Sequence, residues 1–173
     1  MSWLGRFAVL WGIGGAAAVL LEPIARLSTQ VLTAFRDPAL TWWQVAIALV
    51  WTAVMAGSEG YRAFQLGFSP RIVVRAFHLG RHPTWWGVLL APMFAIGLIH
   101  ATRRRLITSW SLVVFIRVLV QVVRAVEQPW RGLIDLGVVV GLAWGLVALV
   151  VFWARAALTG RLPTVSADLP SQG

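Results

Sequence analysis

Leu133–Trp153 reads LIDLGVVVGLAWGLVALVVFW, an apolar run broken by a single acid, Asp135. Wound as a helix at 1.5 Å per residue, it measures about 30 Å, the thickness of a bilayer's hydrocarbon core. Such a helix needs protein on every side or lipid around it. Composition decides between the two. The 173 residues are 59% hydrophobic and only 12% charged, with a mean hydropathy of +0.78. A soluble domain carries about 25% charged residues, and a chain of this length has too little interior for so much apolar side chain. The excess faces lipid.

Four further apolar stretches, at about 4–21, 40–57, 85–99 and 106–126, complete the pattern. Trp3, Trp42, Trp43, Trp85, Trp86, Trp110, Trp130 and Trp153 fall at or near their ends, where amphipathic rings prefer the membrane–water boundary. The N-terminal stretch follows Arg6 as a signal peptide would, but Ala16–Ala18 runs directly into Val19, Leu20 and Leu21, which reads as an uncleaved first span. The expected fold is an all-α integral membrane protein with four transmembrane helices. Residues 85–99, short and holding Pro92, form either a re-entrant segment or a fifth span. Amphipathic interfacial helices are expected at Ile24–Phe35 and at Arg71–His82. One domain covers 1–158, and 159–173, rich in proline and polar residues, is expected to be a disordered tail.

All fifteen basic residues are arginine, and six acids leave a net charge of +9. These arginines punctuate apolar runs, so the fitting partner is an anionic headgroup layer rather than nucleic acid. Arginine without lysine is also the codon signature of a GC-rich bacterial genome, which points to a bacterial inner membrane. If 85–99 dips and returns, Arg6, Arg62, Arg71, Arg75, Arg81, Arg103, Arg104, Arg105, Arg155 and Arg161 share one side with both chain ends, as the positive-inside rule prefers. Arg71, Arg75, Arg103, Arg104 and Arg105 are then the expected lipid-headgroup contacts. Five plain spans would split these clusters.

Two patterns lie inside the spans. Gly137, Gly141 and Gly145 form a small-residue ridge for helix packing. Arg117, Gln121 and Arg124 share one face of the fourth span, with Arg117 near mid-membrane, where a charge needs a partner. Asp135, returning on the next helix, is the expected partner of Arg124, and carbonyls freed near Pro92 are expected to serve Arg117. Whether this stripe is a polar pathway or a structural lock stays open.

Catalytic signals are sparse. His78 and His82 share a helix face with arginines that would repel a metal, and no metal or cofactor is expected. Glu59 and Arg62 read as a boundary ion pair. The leading expectation is a non-catalytic scaffold or accessory subunit, a homo-oligomer or part of a larger membrane assembly. The alternatives are an anion or lipid transporter built on Arg117, Gln121 and Arg124, and a lipid-modifying enzyme built on Glu59, Arg62, His78, His82 and the Arg103–Arg105 cluster.

Overall fold

In a computed structural model of the chain, residues 1–168 are described, apart from the side chains of Arg105, Leu112 and Phe115. The order is α1 (Trp3–Phe35), α2 (Trp42–Met55), a π-helical segment (Ala56–Phe68), α3 (Ser69–Arg81), α4 (Trp85–Leu89), α5 (Ala91–Ile96), α6 (Arg103–Arg124) and α7 (Trp130–Thr159). Among the described residues there is no strand. Three helices are long and apolar enough to cross a membrane: α1, α6 from Leu106 to Arg124, and α7. Four helices, α1, α2, α4 and α7, begin at a tryptophan.

The Ser2 hydroxyl caps α1 by accepting the Gly5 N–H at 3.2 Å. The helix then runs 33 residues without a break through Pro23. Proline inside a helix costs about 3 kcal/mol. Packing on both sides offsets it, through Val9, Ile13, Ala16 and Leu20 before the proline and Ala34 beyond it, all buried. Ile24–Phe35 is therefore the second half of α1, not the separate surface helix its periodicity suggests.

A larger departure lies in residues 58–83. Instead of a loop leading to an interfacial helix, the chain stays helical from Trp42 to Arg81, with 13 residues in π geometry. α3 is not a surface element: Ile72, Val73, Ala76 and Leu79 are at most 4% exposed, packed between α1 and α7. The π segment lies against the glycine ridge of α7. A Cβ added at Gly137 would meet the Trp51 ring at 2.5 Å, one at Gly141 the Glu59 Cβ at 3.1 Å, and one at Gly145 the Phe64 ring at 2.6 Å. Glu59 and Phe64 stand five residues apart, the step that i→i+5 winding brings to one face. The ridge thus has its partner within the chain, and it accommodates large side chains more than it brings backbones together.

Register gives the directions. Gly5 abuts Gly80, and Gly12 lies near Ala76, so α1 runs antiparallel to α3. Gly132 abuts Gln30 and Ala34, while Val9, Ile13 and Ala16 share a cluster with Leu149 and Ala156, so α1 is antiparallel to α7 as well. α7 is parallel to the α2–α3 run. One end of the bundle gathers Gly5, Gly80 and Ala156; the other gathers Phe35, Trp42 and Trp130, where the Trp43 and Trp130 rings lie 5.6 Å apart.

Residues 85–99 form two short helices that break at Leu90 and end at Gly97, whose φ of 86° suits glycine. Neither is long enough to cross. They pack on α1, with Pro92 in the notch at Gly15 and Val88, Ala91 and Phe94 clustered with Ala8. α6 behaves differently. Only 6% of its apolar window is buried, against 33% for α1 and 28% for α7. Beyond Gly160, the chain returns to the bundle: Leu162 packs on the core, and the Thr102 N–H donates to the Asp168 carbonyl at 2.9 Å. Residues 160–168 thus sit against the fold where a free tail was expected; residues 169–173 lie outside the described part.

Candidate functional site

The break in the α4–α5 segment exposes backbone that a membrane protein must satisfy internally. Arg75 does this. Its guanidinium is 3% exposed and donates to the Phe94 carbonyl at 2.7 Å, to Ile99 at 3.0 Å, to His100 at 3.1 Å and to Ala167 at 2.7 Å. It also stacks 4.5 Å from the centre of the Phe94 ring. Two indoles complete the shielding: Trp11 donates to the Leu89 carbonyl at 3.3 Å and Trp110 to the Leu98 carbonyl at 3.3 Å. Arg75 is therefore a structural pin and not a headgroup contact, contrary to its place in the basic stripe of α3. The expected link between Arg117 and carbonyls freed near Pro92 does not form: the arginine that collects backbone carbonyls is Arg75, and they lie at Phe94, Ile99, His100 and Ala167.

Above Arg75, one turn back on α3, Arg71 opens onto a cavity of about 320 Å³ lined by Arg71, Thr102, Arg104, Thr108 and Asp168. Arg71 and Thr102 are brought there by α3 and by the loop entering α6; Arg104 and Thr108 are one helical turn apart on α6. Arg71 Nε is buried and donates to no acceptor within hydrogen-bond range, lying 3.9 Å from the Asp168 carboxylate. The positive end of the α6 dipole points the same way. Two guanidiniums, two hydroxyls and a helix N-terminus suit a phosphate or carboxylate. Arg103 is exposed beside this cavity, and the side chain of Arg105 lies outside the described residues.

The other expected groupings do not assemble. Arg117, Gln121 and Arg124 are exposed on α6 and line no interior path. Asp135 is 3% exposed and faces away from Arg124, because α7 turns the face of Gly132 and Asp135 toward α1. The charges that reach it are Arg131 and Arg26. Asp135 Oδ2 and Arg131 Nε are both buried without a hydrogen bond. Close by, Gln128 bridges the helices, donating to the Gln30 side chain at 3.2 Å and accepting the Gly132 N–H at 3.2 Å. Glu59 and Arg62 form no ion pair, since residues three apart do not share a face in π winding. Glu59 lies against the middle of α7 and His78 near the arginine-rich end, so the residues of the enzyme reading stay apart.

His78 and His82 place their rings 5.5 Å apart. His78, in the last turns of α3 at the arginine-rich end of the bundle, has its pKa lowered below 6.5 by burial, then by His82, Arg75, Arg81 and His100. A lowered histidine pKa means the unfolded chain binds the proton more readily, so the stability it contributes is present above 6.5 and is lost as pH falls toward the folded value. Thermal unfolding in detergent should show a falling midpoint from about pH 7 to about pH 5, and His78→Gln should flatten that slope. An unchanged slope would contradict the assignment.

No protein-family model matches this chain, and neither does any curated protein or solved structure.

Proposed function

We propose that this protein is a multi-pass helical scaffold of a bacterial inner membrane that holds an anionic, phosphate-type headgroup between Arg71 and Arg104. The observation carrying this reading is the cavity itself, where two guanidiniums and two hydroxyls converge and one guanidinium nitrogen, Arg71 Nε, is buried without a hydrogen bond. Helix directions support the membrane arrangement: α1 crosses outward, the α2–α3 run returns, α4–α5 dip and return, α6 crosses and α7 comes back. That makes four crossings and one re-entrant pair, with Arg6, Arg81, Arg103, Arg104, Arg155 and Arg161 on the side of both chain ends. Asp168 occupies part of the cavity and competes with an anion for Arg71.

In nanodiscs containing phosphatidylglycerol, retention of the anionic lipid through purification should fall in Arg71→Gln and in Arg104→Gln, by about fivefold for each arginine. Arg103→Gln, outside the cavity, should matter less, and Asp168→Asn should raise retention. Equal lipid retention by wild type and the double variant Arg71→Gln/Arg104→Gln would end this reading.

A further inference from the structure

Beyond α7 the chain crosses back to the mouth of the headgroup cavity and is held there. Leu162 packs on the core. Arg75 donates to the Ala167 carbonyl at 2.7 Å, and the Thr102 N–H donates to the Asp168 carbonyl at 2.9 Å. The Asp168 N–H donates to the Ser166 hydroxyl at 3.0 Å. These contacts hold Asp168 at a φ of 48°, in the left-handed region that a residue with a Cβ occupies only when its surroundings impose it. They deliver its carboxylate to the cavity wall, 3.9 Å from Arg71 Nε. A seated charge-assisted pair closes to about 2.7–2.9 Å. The carboxylate therefore stands near Arg71 without engaging it fully.

We propose that residues 160–168 form an autoinhibitory strap: the Asp168 carboxylate stands in for the ligand, and a phosphate-type anion entering between Arg71 and Arg104 displaces Ser166 to Asp168 from the bundle. The proposal rests on the headgroup reading of the cavity and adds its regulation. A phosphate group has oxygens enough to serve two guanidiniums at once, whereas a carboxylate tethered by its own backbone approaches only Arg71. Once the phosphate is seated, two like charges share a cavity of about 320 Å³. Their repulsion is poorly screened there and expels the one less firmly bound. Release relaxes the Asp168 backbone and takes Ala167 from Arg75, which keeps the carbonyls of Phe94, Ile99 and His100. The bundle thus stays pinned while the strap moves, with Leu162 and the turn at Gly160, φ 69°, as its fixed end. Linkage runs both ways: whatever frees the strap tightens the anion.

The chain has no cysteine, so Thr164→Cys, at an exposed position of the strap, carries a single nitroxide whose mobility is read by electron paramagnetic resonance in nanodiscs. The label should be restrained in phosphatidylcholine and become mobile as phosphatidylglycerol is added. Arg104→Gln, which leaves the approach of Asp168 to Arg71 in place, should raise the phosphatidylglycerol needed by about fivefold. Asp168→Asn should mobilise part of the label without phosphatidylglycerol and, reciprocally, raise lipid retention. Release by inorganic phosphate in phosphatidylcholine, with nothing added by phosphatidylglycerol, would support the strap, assign the anion to the aqueous phase and end the headgroup reading alone. Phosphatidylglycerol retained through Arg71 and Arg104 beside a label that stays restrained would overturn the strap and leave the headgroup reading standing. Release of Arg104→Gln at the same lipid fraction as wild type would also overturn it, since surface charge alone would then be acting.

Discussion

Replacing Arg75 with methionine should detach the α5–α6 connection and the 160–168 segment from the bundle. Methionine keeps much of the apolar stem and deletes the donors, so the carbonyls of Phe94, Ile99, His100 and Ala167 lose their shared partner. Buried acceptors left unpaired cost about 1–3 kcal/mol each. Local movement will recover part of that, leaving about 3–5 kcal/mol, the usual cost of breaking a buried charged network. Arg75→Lys should fall between, since an ammonium keeps the charge but lacks the planar fork that reaches several carbonyls at once. Unfolding by sodium dodecyl sulfate from a mild detergent would read the loss, and limited proteolysis should open first near residues 97–102. An Arg75→Met protein as resistant as wild type at both readouts would show that the guanidinium is not what holds this region.

Adding one methyl group at Gly5 or Gly132 should be nearly as damaging, and at Gly14 harmless. A Cβ at Gly5 would press on the Gly80 carbonyl oxygen, and one at Gly132 on the Gln30 carbonyl and on the Ala34 Cβ at 2.5 Å. These neighbours are backbone or methyl groups on long helices and cannot rotate aside, so whole helices must separate. Overpacking of this kind costs about 1–3 kcal/mol, with more expected where the lost approach is helix to helix in lipid, since packing is what joins such helices. Gly14 has nothing within 4 Å of its would-be Cβ, and alanine there gains up to about 1 kcal/mol of helix propensity. The comparison of Gly5→Ala, Gly132→Ala and Gly14→Ala in the same unfolding titration isolates contact from composition. Equal midpoints for all three would refute the close crossings. The ridge at Gly137, Gly141 and Gly145 is a softer case, because its neighbours there are mostly side chains that can shift.

The sequence determined that this chain is helical and long enough in its apolar runs to cross a membrane, because run length and polarity are properties of the chain alone. It also marked helix starts: tryptophan opens α1, α2, α4 and α7 because an indole prefers a boundary before any tertiary contact exists. Periodicity likewise showed that Arg71 and Arg75 share a stripe and that Arg117, Gln121 and Arg124 share another. What faces each stripe was decided by tertiary structure. Arg75 is buried and Arg117 exposed because the end of α5 and the turn after Gly97 present the carbonyls of Phe94, Ile99 and His100 to α3, and α6 stands apart from the bundle. The Arg124–Asp135 pair fails for the same reason: α7 is rotated by its close approach to α1 at Gly132, a register that no spacing in the chain specifies. The π winding that extends α2 into α3 follows from fitting Glu59 and Phe64 onto glycines of a helix some eighty residues away. Local pattern states which side of a helix is different; only packing supplies the neighbour, and a guanidinium is a pin or a ligand site according to that neighbour.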